Sequence, residues 1–256
     1  KPERVEVLLD VPAGLIGVAN GRLAERPVTG EPETFHWVHE YPLETYAVAI
    51  AVGPYEVVET ELELDGIDDP VPFVYYVLPE NLEKARLQFA DVPEMLAAFA
   101  RAFGPFPFPE SKFALVETPF WGMEHSTAIA YGSSYPKWCE REGERDRYAS
   151  RNRFFDYILV HESAHEGWGN GVSASHWVDF WIHRRPGTNA VGVSAQFTQG
   201  RERADEYFAG VRRGVPRRGR LYRGADSDSG EAYSGLVYGK GAAVLETLRH
   251  CVADDD

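Results

Sequence analysis

The chain is short of cysteine, of basic residues and of long apolar runs, and each shortage removes a class of function. Two cysteines, Cys139 and Cys251, in 256 residues cannot build a disulfide framework or a thiolate zinc site. Any metal must therefore use His and carboxylate. No uninterrupted apolar run approaches the ~20 residues that a membrane helix needs, so no membrane span is expected. Lys and Arg number 26 against 40 Asp and Glu, a net charge of −14. Nucleic acid, whose phosphates require a basic face, is not an expected partner. There is no Gly-rich phosphate motif and no Ser or Cys nucleophile signature. What remains is ample for folding. An apolar content of 44% argues against disorder despite the charge, and the length suits one or two domains. The chain opens at Lys1 without a signal-like stretch and stops just after a helical run, so it reads as a fragment whose localisation is undetermined.

The first 78 residues have the periodicity of strands. Arg4 to Val11 and Thr34 to Val38 alternate apolar and polar side chains, Tyr46 to Val52 is nearly continuous apolar, Tyr55 to Leu64 alternates again, and Val71 to Leu78 is rich in β-formers. The acidic loop Asp65 to Pro70 is a plausible edge. After Pro79 the period becomes helical. Leu82, Ala85, Phe89 and then Met95, Leu96, Phe99 predict a helix bent or split by Pro93. Short strands are expected at Phe113 to Val116 and Thr127 to Tyr131, flanking a loop from Pro119 to His125. Helical stretches follow at about 143–168, 174–184, 200–213 and 231–252.

The strongest chemical signal is His161-Glu162-Ser163-Ala164-His165. Chance supplies roughly 0.025 such matches per chain of this composition. The apolar residues Phe154, Phe155, Tyr157, Ile158 and Val160 precede it as part of a helix. On a helix, residues i and i+4 share a face, so both imidazoles can reach one ion. Glu162 stands beside the first of them, where it can take a proton from a metal-activated water. The bland alternative is a coincidental His pair on a core helix.

The residues that follow, Trp168-Gly169-Asn170 through Trp181-Ile182-His183, carry a wider pattern. With Gly122-Met123-Glu124-His125 and Tyr238-Gly239-Lys240-Gly241 in the right order around the His pair, the chain resembles the membrane alanyl aminopeptidase-like gluzincins, zinc aminopeptidases related to leukotriene A4 hydrolase. The resemblance implies an α+β chain. Residues 1–78 would be the C-terminal part of a β-sandwich-like N-terminal domain, and 79–256 the first, largely helical part of a thermolysin-like catalytic domain. It also implies zinc held by His161 and His165, with Glu162 as general base. Tyr238 would stabilise the tetrahedral intermediate, and Glu124, in the loop with Gly122 and Met123, would grip the free α-amine of a peptide substrate.

The pattern breaks at the third ligand, which the resemblance expects as a Glu eighteen residues beyond the second His. Position 184 is Arg, in the stretch His183-Arg184-Arg185-Pro186-Gly187. A guanidinium ~5 Å from a dication costs about 6–7 kcal/mol at an effective dielectric of ~20. Pro186 is expected to end the helix early. His183 lies about 100° around that helix from position 184, so it could reach the ion only if the helix were rotated. Asp179 is better suited to accept an imidazole N–H. Gly167 stands where the family has an aromatic residue, which predicts loose packing behind the metal helix. The competing reading is a non-catalytic, peptide- or partner-binding relative of the same fold.

Overall fold

The computed structural model describes residues 1–25, 32–132, 135–137, 139, 156–176, 179, 181–215 and 235–252, with the side chains of 181, 182, 184, 185 and 235–238 set aside. Strand β1 (Val5–Val11) pairs antiparallel with β4 (Glu33–His39), and β3 (Arg22–Glu25) lines the other edge of β4. A separate pair joins β2 (Ile16–Ala19) to β5 (Ile50–Gly53). The larger sheet runs in the order β6 (Glu56–Leu62), β7 (Val71–Val77), β8 (Phe113–Glu117), β10 (Ile129–Tyr131), β9 (Gly122–Met123). Its three central strands are parallel and its two edges antiparallel.

Strand β7 explains how the molecule is layered. Its alternate residues Phe73, Tyr75 and Val77 enter a core with the helices, while Val74 and Tyr76 enter a second core with Val18, Phe35 and Trp37 of the smaller sheets. A strand covered on both faces reads as a near-continuous apolar run, as this one does. The sheet crosses the 78/79 edge suggested by the sequence, since β7 is hydrogen-bonded to β8.

The helices are α1 (Leu82–Phe89), α2 (Val92–Phe103), α3 (Tyr157–Ala164), α4 (Trp181–Gln199), α5 (Arg201–Arg213) and α6 (Gly235–Val252). Pro93 separates α1 from α2 and sits in the first turn of α2, where its missing N–H has no intrahelical partner to lose. Two expectations need correction. The helix expected at 174–184 instead starts at Trp181 and continues to Gln199 through Pro186, which forgoes one backbone bond without ending the helix. The apolar stretch Tyr46 to Val52 is a strand only from Ile50; its first part is a tight turn of helix over Thr45–Ala47. Residues 143–155 of the helix expected at 143–168 lie outside the described residues.

Candidate metal centre

Helix α3 is anchored at its start. The Asp156 carboxylate accepts from the N–H groups of Ile158 and Leu159, both at 3.1 Å, the arrangement of a good N-cap. Ile158, Leu159 and Val160 are buried in the helix-side core. His161 and Glu162 are buried as well, and His165 completes the last turn. The rings of His161 and His165 lie 4.9 Å apart at 89°, one turn of helix from each other. Tyr157 stacks on His161, with ring centroids 5.1 Å apart. The His165 Nδ1 lies 2.8 Å from the Trp168 carbonyl, a contact that orients the ring. That carbonyl occupies the role the sequence suggested for Asp179.

The loop after β9 is pressed onto α3 by glycine and by carboxylate. A Cβ on Gly122 would stand 2.9 Å from the Glu162 Oε1 and 2.9 Å from Ile158, so only a residue without a side chain lets this strand edge lie against the helix. Glu124, fully buried, follows two residues later. The buried Glu166 accepts from the Thr127 N–H at 2.6 Å and the Ser126 hydroxyl at 3.3 Å. Asn170 donates to the Glu124 carbonyl at 3.1 Å. Burial pushes the Glu166 carboxyl up to about 8, against the pull of these hydrogen bonds and of Lys112. Thr127 adopts φ +56°, a strained setting for a β-branched residue, and is held there by Glu166 and by the Gly21 N–H on its hydroxyl at 2.7 Å.

Helix α4 supplies the element that sequence reasoning placed differently. His183 is buried, and its Nδ1 is 4.0 Å from a Glu124 carboxylate oxygen. Ligand atoms of Glu124, His165 and His183 all lie within 4.8 Å of one another, the grouping of this kind found among the described residues. Helix α4 meets α3 at Gly187, one turn after His183. A Cβ on Gly187 would come within 2.9 Å of the His165 Nε2 and 3.2 Å of the His161 ring. The bare Gly187 allows the two helices to approach there. Gly169, at φ +130°, makes room from the other side: its Cβ would fall 2.7 Å from the His183 Cε1. The Tyr46 hydroxyl lies 3.0 Å and 3.1 Å from the two nitrogens of the same ring.

The structure thus brings His161, Glu162, His165 and the loop Gly122, Met123, Glu124 to one place and adds His183 and Tyr46. Tyr238 is in helix α6, but its side chain, like that of Arg184, lies outside the described ones. Tyr46, Glu166 and His183 were not legible as a unit; Tyr46 and His183 are 137 residues apart in sequence. Behind α3 a cavity of about 450 Å³ is lined by Gly167, Trp168, Phe99 and Phe103, where the missing aromatic side chain was expected to loosen the packing.

No family model matches the chain. Among curated proteins it is 23% identical to aminopeptidase M1 of Arabidopsis thaliana over 256 aligned positions, covering 95% of this chain and 28% of that protein. It is 24% identical to mouse (Mus musculus) aminopeptidase B, covering 97% of this chain and 37% of that protein. Among solved structures, an M1 zinc metallopeptidase from Deinococcus radiodurans superposes with a TM-score of 0.72 at 21% identity, over 98% of this chain and 53% of the other. Yeast LTA4 hydrolase in complex with bestatin gives 0.71 at 15% identity, over 98% and 38%. The chain is similar in sequence to M1 aminopeptidases and shares the α+β fold of the M1 zinc metallopeptidases. It spans about a third of the length of the curated relatives just named.

Proposed function

We propose that this chain is the catalytic portion of a zinc-dependent aminopeptidase that removes N-terminal residues from peptides. The observation that carries the reading is the convergence of a buried Glu124 carboxylate with the His165 and His183 imidazoles, next to Glu162. The donor set fits zinc: the imidazole nitrogens of His161, His165 and His183 are all held by buried elements. In this reading His161 and His165 hold the ion. Zinc, when bound, would supply Lewis acidity to the scissile carbonyl and to a water.

The chain's own residues account for the rest. Glu162 takes the proton of the attacking water and delivers it to the leaving amine. Glu124 binds the substrate ammonium. In an N-terminal residue the amine and the carbonyl oxygen are only about 3 Å apart by covalent geometry. An acid that grips the amine must therefore lie within a few ångströms of the metal ligands, which is where Glu124 stands. An internal peptide bond offers no ammonium to that carboxylate, so the buried acid would be left without its counter-charge. Tyr238 is assigned to the developing oxyanion on the resemblance of its motif.

The test is zinc content together with hydrolysis of an aminoacyl anilide, with the N-acetylated anilide as control. Turnover of the free amine alone is expected, and Glu162→Gln should lower it by about 10²–10⁴ while zinc stays bound. Ordinary activity in that variant would remove the general-base assignment. The second reading, a non-catalytic peptide- or partner-binding relative, is favoured by Arg184 at the expected third-ligand position. It predicts that zinc and hydrolysis emerge only in Arg184→Glu.

A further inference from the structure

We propose that His183, rather than the residue at position 184, is the third protein ligand of the metal in this chain, with the Tyr46 hydroxyl positioning its ring. The proposal rests on the metallopeptidase reading and supplies the ligand that reading lacks. Position 184 offers a guanidinium, which carries no lone pair for a metal and repels one. A histidine directly before it is a normal zinc ligand when neutral.

Distance and fit point to that histidine. Ligands ~2.1 Å from a tetrahedral ion stand about 3.4 Å apart. The donor atoms of His165 and His183 lie within 4.8 Å of each other, so a closing movement on the order of an ångström, within reach of side-chain rotation, brings both to an ion. Helix α4 meets α3 at Gly187, one turn after His183, as the near-contact between the Gly187 Cβ position and the His165 Nε2 establishes. His183 also occupies a fitted slot. The backbone of Gly169 approaches its ring so closely that a Cβ there would overlap the Cε1, and the ring is 2% exposed.

Tyr46 gives this slot a polar wall. Its hydroxyl is nearly equidistant from the two ring nitrogens, at 3.0 Å and 3.1 Å, so it can pair with either one while the other turns toward an ion. A phenol held against a ligand in this way restrains the ring's orientation, the usual work of groups one step removed from a metal. Tyr46 comes from the short helical turn Thr45–Ala47, so the N-terminal strand region would tune a centre built by the helices.

The experiment titrates zinc into the chelator-stripped full chain and into His183→Gln, Tyr46→Phe and Arg184→Glu, with circular dichroism melting of each metal-free protein. The unaltered chain should bind one zinc. His183→Gln should bind it more than ~100-fold more weakly, and Tyr46→Phe about 10-fold more weakly, with metal-free melting of Tyr46→Phe unchanged. Equal affinity in His183→Gln, or zinc binding only after Arg184→Glu, overturns the proposal. Should His183→Gln not fold, ring-¹⁵N spectra of the unaltered chain decide: the His183 resonances must move on zinc addition, and a shift confined to His161 and His165 overturns it. Anilide hydrolysis separates the two levels. Zinc held through His183 without turnover defeats the aminopeptidase reading alone, whereas turnover retained by a zinc-loaded His183→Gln defeats this inference alone.

Discussion

Glu162 and Glu124 are both buried carboxylates near the paired imidazole helix and its facing loop, yet their surroundings suit them to different partners. Glu162 projects from α3 against the bare Gly122, beside the ring of His161. Glu124 comes from the loop that Glu166 and Asn170 fasten to that helix. Glu124→Ala should therefore raise the KM for a free-amine anilide by at least about tenfold, the scale of one lost charge-assisted contact, and leave zinc content near that of the unaltered chain. Loss of zinc in step with activity would make Glu124 a metal ligand instead. At this scale the sequence was a good guide to residue type and a poor one to partnership. The His-Glu-x-x-His spacing is local and visible by inspection. The contact of Tyr46 with His183, or of Glu166 with Thr127, spans 137 and 39 residues and has no periodicity to announce it.

Two glycines near the centre have opposite mechanical roles, and substitution by alanine separates them. Gly187 is where α4 meets α3, and an added Cβ would stand 2.9 Å from the His165 Nε2. Gly187→Ala is expected to cost about 1–3 kcal/mol by overpacking and to weaken zinc binding at the same time. Gly167 faces the cavity behind α3, and its Cβ would find nothing nearer than the Ala164 carbonyl at 3.7 Å. Its φ is outside the left-handed region, so Gly167→Ala should stabilise by about 0.4–1 kcal/mol through the unfolded chain. Urea midpoints of the two variants against the unaltered chain check both signs. Helix positions were legible from apolar periodicity for α1, α2 and α5. The course of α4 beyond residue 184 was not, because Pro186 reads as a stop signal in sequence while the packed Ala190 and Val191 hold the helix together beyond it.

Across the whole molecule, the two cores meet at the central sheet and are joined by buried polar groups that have little water to fall back on. Lys112, buried, donates to the Ala19 carbonyl at 2.9 Å and to that of Gly21, and lies over the Trp37 ring at 4.1 Å. Burial brings its ammonium down to about 7. His39, at the end of β4, is 1% exposed between Tyr41 and Phe108, and burial followed by the nearby Lys112 charge lowers it from 6.5 to about 4. Between these two values the unfolded imidazole takes a proton that the buried one refuses. Stability is therefore lost as pH falls from about 6.5 toward 4, by up to roughly 3 kcal/mol from this residue. His39→Phe should flatten that part of the profile, seen as a smaller difference between urea melts of the metal-free protein at pH 7 and at pH 4.5. An equally steep loss in the variant would assign the acid sensitivity to other groups.

Some properties of this chain follow from short-range chemistry and others from long-range packing, and the division is physical. Side-chain alternation, apolar period and the i, i+4 pairing of two imidazoles act over a turn or a strand, so the strands β1, β4, β6 and β7 and the helix that carries His161 could be read from residue order. Which face of α4 meets α3 depends on how closely two helices can approach at Gly187 and on the space Gly169 leaves beside the His183 ring. These are contacts between segments brought together only by the folded cores. That is why residue order points to Arg184 as an obstacle, while the assembled helices present His183.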